Sequence, residues 1–128
     1  MKRGGILHPG LSHLLASTGH TDYFTICDRG FPVPLGPERI DLALVDDLPT
    51  VLDVLRAVHA EWQIDRVLIT HEMTEVSPGR VTELRDLLGD VPLEPVSHLE
   101  LQRLAASARA TVRTADTCPY ANVIVVSG

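Results

Sequence analysis

The chain has 128 residues, 45% of them hydrophobic, which suffices for one domain with a real core and calls for no second domain. A formal charge of −6, with eleven basic residues and no basic run longer than Lys2-Arg3, excludes the clustered positive surface that nucleic acid or an acidic membrane needs. Two cysteines, Cys27 and Cys118, are too few for a disulfide scaffold, and no apolar window reaches the ~18 residues of a transmembrane helix. The N-terminus is basic but lacks the apolar stretch of a secretory signal, so the cytoplasm is the expected compartment.

Leu11, Leu14, Leu15 and Thr18 fall on one helical face, which predicts a helix over residues 10–18 with Gly19 as its stop. Tyr23 to Asp28 reads as a strand. Residues 29–38 hold Gly30, Pro32, Pro34, Gly36 and Pro37, a stiff loop without regular structure. Ile40, Leu42 and Leu44 alternate with Asp41 and Ala43, the pattern of a short strand.

Thr50 and Asp53 form a capping-box pair, and Val51, Leu52, Val54, Leu55, Val58 and Trp62 trace the helix face that follows. Arg66 to Thr70 is a compact apolar strand. Ser77-Pro78 offers an N-cap with proline in the first helical position, and Gly89 ends that helix. A strand over residues 92–96, a helix capped by Ser97 and Glu100, and strands over 110–114 and 122–126 complete the chain. This alternation predicts an α/β fold, a single layered α/β/α domain over residues 1–128 around one mixed β-sheet.

The strand at 23–28 is flanked by titratable groups, an economical way to present acid/base chemistry on a rigid support. His20 precedes it, and Asp22, two residues on, can orient a ring that titrates near neutrality. A residue at a helix end interacting with the helix dipole is the structural alternative for His20. Asp28 opens the Gly/Pro loop, where either a ligand contact or an ordinary Asx-turn fits. His98 in the first turn of a helix can hydrogen-bond a sugar hydroxyl or lie exposed. Tyr120 and Asn122, in Pro119-Tyr-Ala-Asn122, offer a stacking face and an amide fork suited to polyols, or a plain turn.

A metal centre has no support: His8, His13, His59 and His71 lack ligand spacing, and His71-Glu72 lacks a second histidine four residues after the first. No Gly-rich phosphate loop invites a nucleotide cofactor, and no serine sits in a nucleophile elbow.

Five separated motifs then stand in order along nearly the whole chain: Lys2-x-Gly-Gly-Ile-Leu7, Gly19-His-Thr-Asp22, Cys27-Asp-x-Gly-Phe-Pro-Val-Pro34, Arg39-Ile-Asp-Leu-Ala-Leu44 and Pro119-Tyr-Ala-Asn-Val-Ile124. Together they resemble the D-ribose pyranase family. The related L-fucose mutarotases resemble the chain more weakly, typically reading His-Gly-Asp at the place of His20-Thr21-Asp22.

The resemblance implies a cofactor-free, cytoplasmic isomerase that interconverts β-pyranose and β-furanose D-ribose and so feeds ribose to its kinase. It implies His20 as catalytic proton donor and Asp28, His98, Tyr120, Ala121 and Asn122 as substrate-binding residues, with no metal. It further implies rings of five subunits, often paired into a homodecamer, with sites between neighbours. A mutarotase for another sugar such as L-fucose, or a non-catalytic sugar-binding module, remains the alternative. Arg29 stands where family members often carry alanine, and a cation there can pair with Asp28 and alter sugar selectivity.

Overall fold

Apolar strands and amphipathic helices alternate along the chain, and the strands satisfy their backbone groups in one six-stranded sheet ordered β2-β5-β1-β6-β3-β4. In this computed structural model, which describes residues 1–128, the strands are β1 (Tyr23–Cys27), β2 (Glu38–Asp41), β3 (Ile64–Thr70), β4 (Leu93–Val96), β5 (Ala110–Arg113) and β6 (Val123–Ser127). The helices are α1 (Pro9–Ser17), α2 (Val51–His59), α3 (His71–Val76), α4 (Pro78–Leu88) and α5 (His98–Ala105). None is long and apolar enough to cross a membrane.

The sheet is mixed in one particular way. β2, β5 and β1 run parallel, β3 and β4 run parallel, and β6 lies antiparallel between β1 and β3. Five strands therefore point the same way and only β6 returns. The segments that follow β1, β3, β4 and β5 emerge at one end of the sheet, together with the start of β6.

Both faces are covered, as the apolar runs in the central strands require. One face packs on α1, α2 and α4 through a core that includes Leu14, Phe24, Leu55, Val67 and Leu84. The other carries α5 and the loop after β1, through Cys27, Phe31, Leu101, Ala105, Ile124 and Val126. The α/β/α layering expected from the alternation is what forms.

Several element ends move from their sequence positions for local reasons. β2 covers residues 38–41 rather than 40–44: the Ala43 N–H turns back to the Asp41 carboxylate, and Leu44, 75% exposed, bonds across a turn to Leu48. α2 stops at His59, so Trp62 lies beyond it, where its indole N–H donates to the Leu15 carbonyl at 3.1 Å. The Thr50–Asp53 capping box closes in both directions. The Ser97–Glu100 box closes in one: Ser97 Oγ accepts the Glu100 N–H, while the Glu100 carboxylate pairs with Arg103. The short α3 was not foreseen. Thr70, which ends β3, caps it by accepting the Met73 N–H, and a residue that serves a strand and a cap at once leaves no gap to read.

Phe24 is fully buried and tilts against Trp62 with ring centroids 5.4 Å apart. Phe24→Ala is expected to lower stability by about 3–5 kcal/mol. Urea unfolding followed by the fluorescence of Trp62, the one tryptophan of the chain, measures it directly.

Candidate functional site

A sheet whose strands share a direction gathers its loops at the strands' C-terminal ends, and open α/β sheets hold ligands there. Here that end carries a cavity of about 320 Å³ lined by Asp28, Gly30, Phe31, Pro32, His98, Pro119, Tyr120 and Asn122. Its size lies at the small end of ligand pockets and suits a monosaccharide.

Each polar group is held by its element. Asp28 follows the last residue of β1, and its Oδ1 accepts the Gly30 N–H at 3.0 Å, the Asx-turn that opens the Gly/Pro loop. The Asp28 N–H donates to Asn122 Oδ1 at 2.8 Å, which joins the start of β6 to the end of β1. Asn122 is 2% exposed, and with its oxygen so occupied its amide nitrogen remains as a donor.

His98 opens α5. Its ring meets Tyr120 edge-on, centroids 5.3 Å apart at 83°, and Phe31 at 6.2 Å and 90°. Nε2 lies 3.2 Å from the Gln102 side-chain nitrogen, while the buried Nδ1 has no partner. Where the Gln102 amide donates, Nε2 accepts and the ring proton sits on Nδ1.

Tyr120 has φ of +56°, a left-handed conformation unfavourable for a bulky side chain by roughly 1–2 kcal/mol. Strain of this kind persists only where the surroundings over-determine it. They do so here through Asp116. Its carboxylate, 1% exposed, accepts Arg80 at 2.7 and 3.3 Å, the Val51 N–H at 2.9 Å and the Cys118 N–H at 2.9 Å.

The two carboxylates are tuned in opposite senses. Burial raises the Asp28 carboxyl above the usual carboxylate range, with repulsion from Asp116 adding to it and the Gly30 and Phe31 N–H groups opposing it. Burial acts upward on Asp116 too, but the Arg80 guanidinium and the Cys118 and Val51 N–H groups outweigh it and hold that carboxyl below the range.

Asp28, His98, Tyr120 and Asn122 thus come together. Ala121 does not line the cavity; it is fully buried, with its methyl in the larger core beneath. His20 lies elsewhere. It is exposed in the turn before β1, with the five residues of that strand, ~17 Å of extended chain, between it and the segment at Asp28.

That turn is closed by the Asp22 N–H bonding the Gly19 carbonyl, and Thr21 adopts a φ of +69°. Thr21 N–H donates to the Ser127 carbonyl and the Ser127 N–H to the Asp22 carbonyl, which latches the turn to the end of β6. Asp22 does not orient His20. Its Oδ2 accepts the Gly19 N–H at 3.0 Å and Arg109 at 2.7 and 3.1 Å, and these partners, Arg109 first, lower its carboxyl pKa. Arg29 likewise turns away from Asp28 and pairs with Asp46 at 2.6 Å.

Sequence reasoning missed Arg80, Asp116 and Glu72. Arg80 is a charged residue in a helix, ordinarily solvated, and no local pattern marks it as 9% exposed. Glu72 accepts the His98 backbone N–H at 2.7 Å from 26 residues away.

The titrations carry a sign. Asp28 holds its proton more tightly folded than unfolded, so its contribution to stability is present below the ordinary carboxyl value of 3.8 and lost as pH rises through the raised value. Asp116 does the reverse: its contribution is present above 3.8 and lost as pH falls through the depressed value. At neutral pH Asp28→Asn is expected to stabilise the fold, and Asp116→Asn, which strands buried Arg80, to destabilise it by about 3–5 kcal/mol. Urea midpoints between pH 3 and 7 test both signs.

Similarity to known proteins covers the whole chain. The RbsD / FucU transport protein family matches residues 1–128. A protein of Coprothermobacter proteolyticus named D-ribose pyranase is 44% identical over 128 residues, 100% of this chain and 98% of its own. The structure of Bacillus subtilis RbsD complexed with D-ribose superimposes with a TM-score of 0.95 at 36% identity, covering 100% of this chain and 98% of that one. The fucose mutarotase of Streptococcus pneumoniae, in complex with L-fucose, shares the fold at a TM-score of 0.78 and 17% identity, with 95% and 93% covered.

Proposed function

The chain belongs to the RbsD / FucU transport protein family, and from that premise we propose that it is a D-ribose pyranase, an isomerase interconverting the β-pyranose and β-furanose forms of D-ribose. The observation that carries the reading is the cavity at the strand ends. It offers one carboxylate, one imidazole, one amide and two aromatic rings in a volume suited to a monosaccharide. Identity of 44% to a relative named for this activity points to ribose over fucose.

The chemistry asks little beyond positioned proton transfer. A base takes the anomeric hydroxyl proton while an acid protonates the ring oxygen, the C1–O5 bond breaks, and the open aldehyde forms. The O4 hydroxyl then adds to C1, loses its proton, and the furanose closes with a proton returned to the C1 oxygen. Nothing is oxidised or reduced overall, so no redox cofactor is required. General acid/base catalysis, worth roughly 10²- to 10⁴-fold, meets the demand. In this reading Asp28, His98, Tyr120 and Asn122 hold and orient the sugar, with the backbone at Ala121 beside them, and His20 moves the proton.

His20 and the cavity occupy opposite ends of β1, so within one chain they do not meet. We take the working unit to be a cytoplasmic ring, a pentamer or a homodecamer, in which the His20 turn of one subunit closes the cavity of its neighbour. Residues 1–128 form one domain of that ring.

NMR exchange spectroscopy on D-ribose tests the reading. The enzyme is expected to accelerate exchange between pyranose and furanose anomeric signals, His20→Ala to abolish most of it with the fold intact, and Asn122→Ala chiefly to weaken binding. Mixing unfolded-and-refolded His20→Ala and His98→Ala chains is expected to restore activity well above the residual level of either variant alone. Acceleration of L-fucose exchange alone, or binding without acceleration, would sink the assignment. No recovery on mixing would sink the shared site.

A further inference from the structure

The cavity has two arms, one at the start of α5 carrying His98 and one in the segment 116–122 carrying Tyr120 and Asn122. The first arm meets the cavity at a helix start and the second is irregular there, so something outside them must set their spacing. Both are gripped by the same piece of chain, from the first turn of α3 to the first turn of α4, which lines none of the cavity.

Glu72, in the first turn of α3, accepts the His98 backbone N–H at 2.7 Å, one of the donors that the start of a helix leaves unpaired. Ser77 stands in the N-cap position of α4, yet its hydroxyl makes no cap bond. It donates instead to the Pro119 carbonyl at 2.8 Å, immediately before Tyr120. One turn further, Arg80 holds Asp116 at the root of the same arm. A cap residue that leaves its own helix end to bind a loop points to a demand from the loop. The strained φ of Tyr120 is that demand.

We propose that Glu72 and Ser77 are positioning residues that set the distance between the two sugar-binding arms, Glu72 acting through His98 and Ser77 through Tyr120. The inference deepens the ribose reading of this cavity and rests on it for the identity of the sugar. A helix corner is a sound template, because the rise and turn of α4 fix the interval between Ser77 and Arg80 while α3 fixes Glu72 against them. Neither residue touches the sugar, so both act on affinity more than on the proton step.

The test is a pair of double-mutant cycles on the assembled enzyme, read as KM and kcat for D-ribose exchange. Glu72→Ala and Ser77→Ala are each expected to raise KM roughly ten-fold, the scale of a lost hydrogen bond to a charged or buried partner, with kcat changed less than about three-fold. Glu72→Gln, which keeps the acceptor oxygen, is expected to restore most of the loss. The Glu72→Ala effect is expected to vanish in a His98→Ala background, and the Ser77→Ala effect in a Tyr120→Ala background. Undiminished effects in those backgrounds, or equal losses in Glu72→Gln and Glu72→Ala, would overturn the inference.

A sugar-free measurement separates this outcome from a failure of the ribose reading. Glu72→Ala is expected to release the His98 amide to fast hydrogen exchange and Glu72→Gln to retain its protection. Ser77→Ala is expected to shift the Tyr120 amide signal. If wild-type protein ignores ribose while these amides respond as stated, the substrate is wrong and the clamps stand. If the amides do not respond, the clamps fall whatever the sugar.

Discussion

The buried carboxylate of Asp116 is the knot of the molecule. Four bonds converge on it, from both terminal nitrogens of Arg80 and from the backbone N–H groups of Val51 and Cys118. Through them one side chain ties the start of α2, the first turn of α4 and the loop before β6 to a common point. A buried ion pair of this kind stabilises a fold only weakly against an apolar substitute, because desolvation of both charges opposes their attraction. What it supplies is specificity of geometry, since no apolar contact tells α4 where along its length the loop must sit.

The direction of the strands decides the rest. With five strands aligned and β6 alone reversed, every loop bearing a cavity residue is delivered to one end of the sheet, and the turn bearing His20 to the other. The same reversal brings Ser127 beside Thr21, so the end of β6 latches the His20 turn while its start presents Asn122 to Asp28. One strand thus braces the His20 turn at one end of the sheet and the cavity at the other.

Much of this was legible from residue order. The periodicity of Leu11, Leu14 and Leu15, the Thr50–Asp53 box and the Ser77-Pro78 start each encode a local choice, and local choices survive into the fold. Asp28, Tyr120 and Asn122, which meet at one cavity, stand in motifs on loops, where a packing explanation is weak, and His98 joins them from the first turn of a helix. What resisted reading was long-range. Arg80 and Asp116 are 36 positions apart and Glu72 and His98 are 26 apart, so neither pairing leaves a trace in either neighbourhood. Ser77 misled in a further way, for a serine before proline reads as a cap, and only the folded loop shows that its hydroxyl is engaged elsewhere. Asp22, two residues from His20, illustrates that nearness in sequence is not contact: a turn lies between them and Arg109 takes the carboxylate.

The left-handed backbone at Tyr120 has a consequence for how such a protein can change over evolutionary time. Most side chains that could replace tyrosine would inherit the same unfavourable φ without its edge-on contact with His98. Glycine, asparagine and aspartate tolerate that conformation best. Each would remake the cavity wall, glycine by widening it, asparagine by adding an amide, aspartate by setting a second carboxylate near Asp28. The substitutions easiest for the chain are therefore those that most alter which ligand fits. Drift at this position is thus channelled toward replacements that reshape the cavity wall.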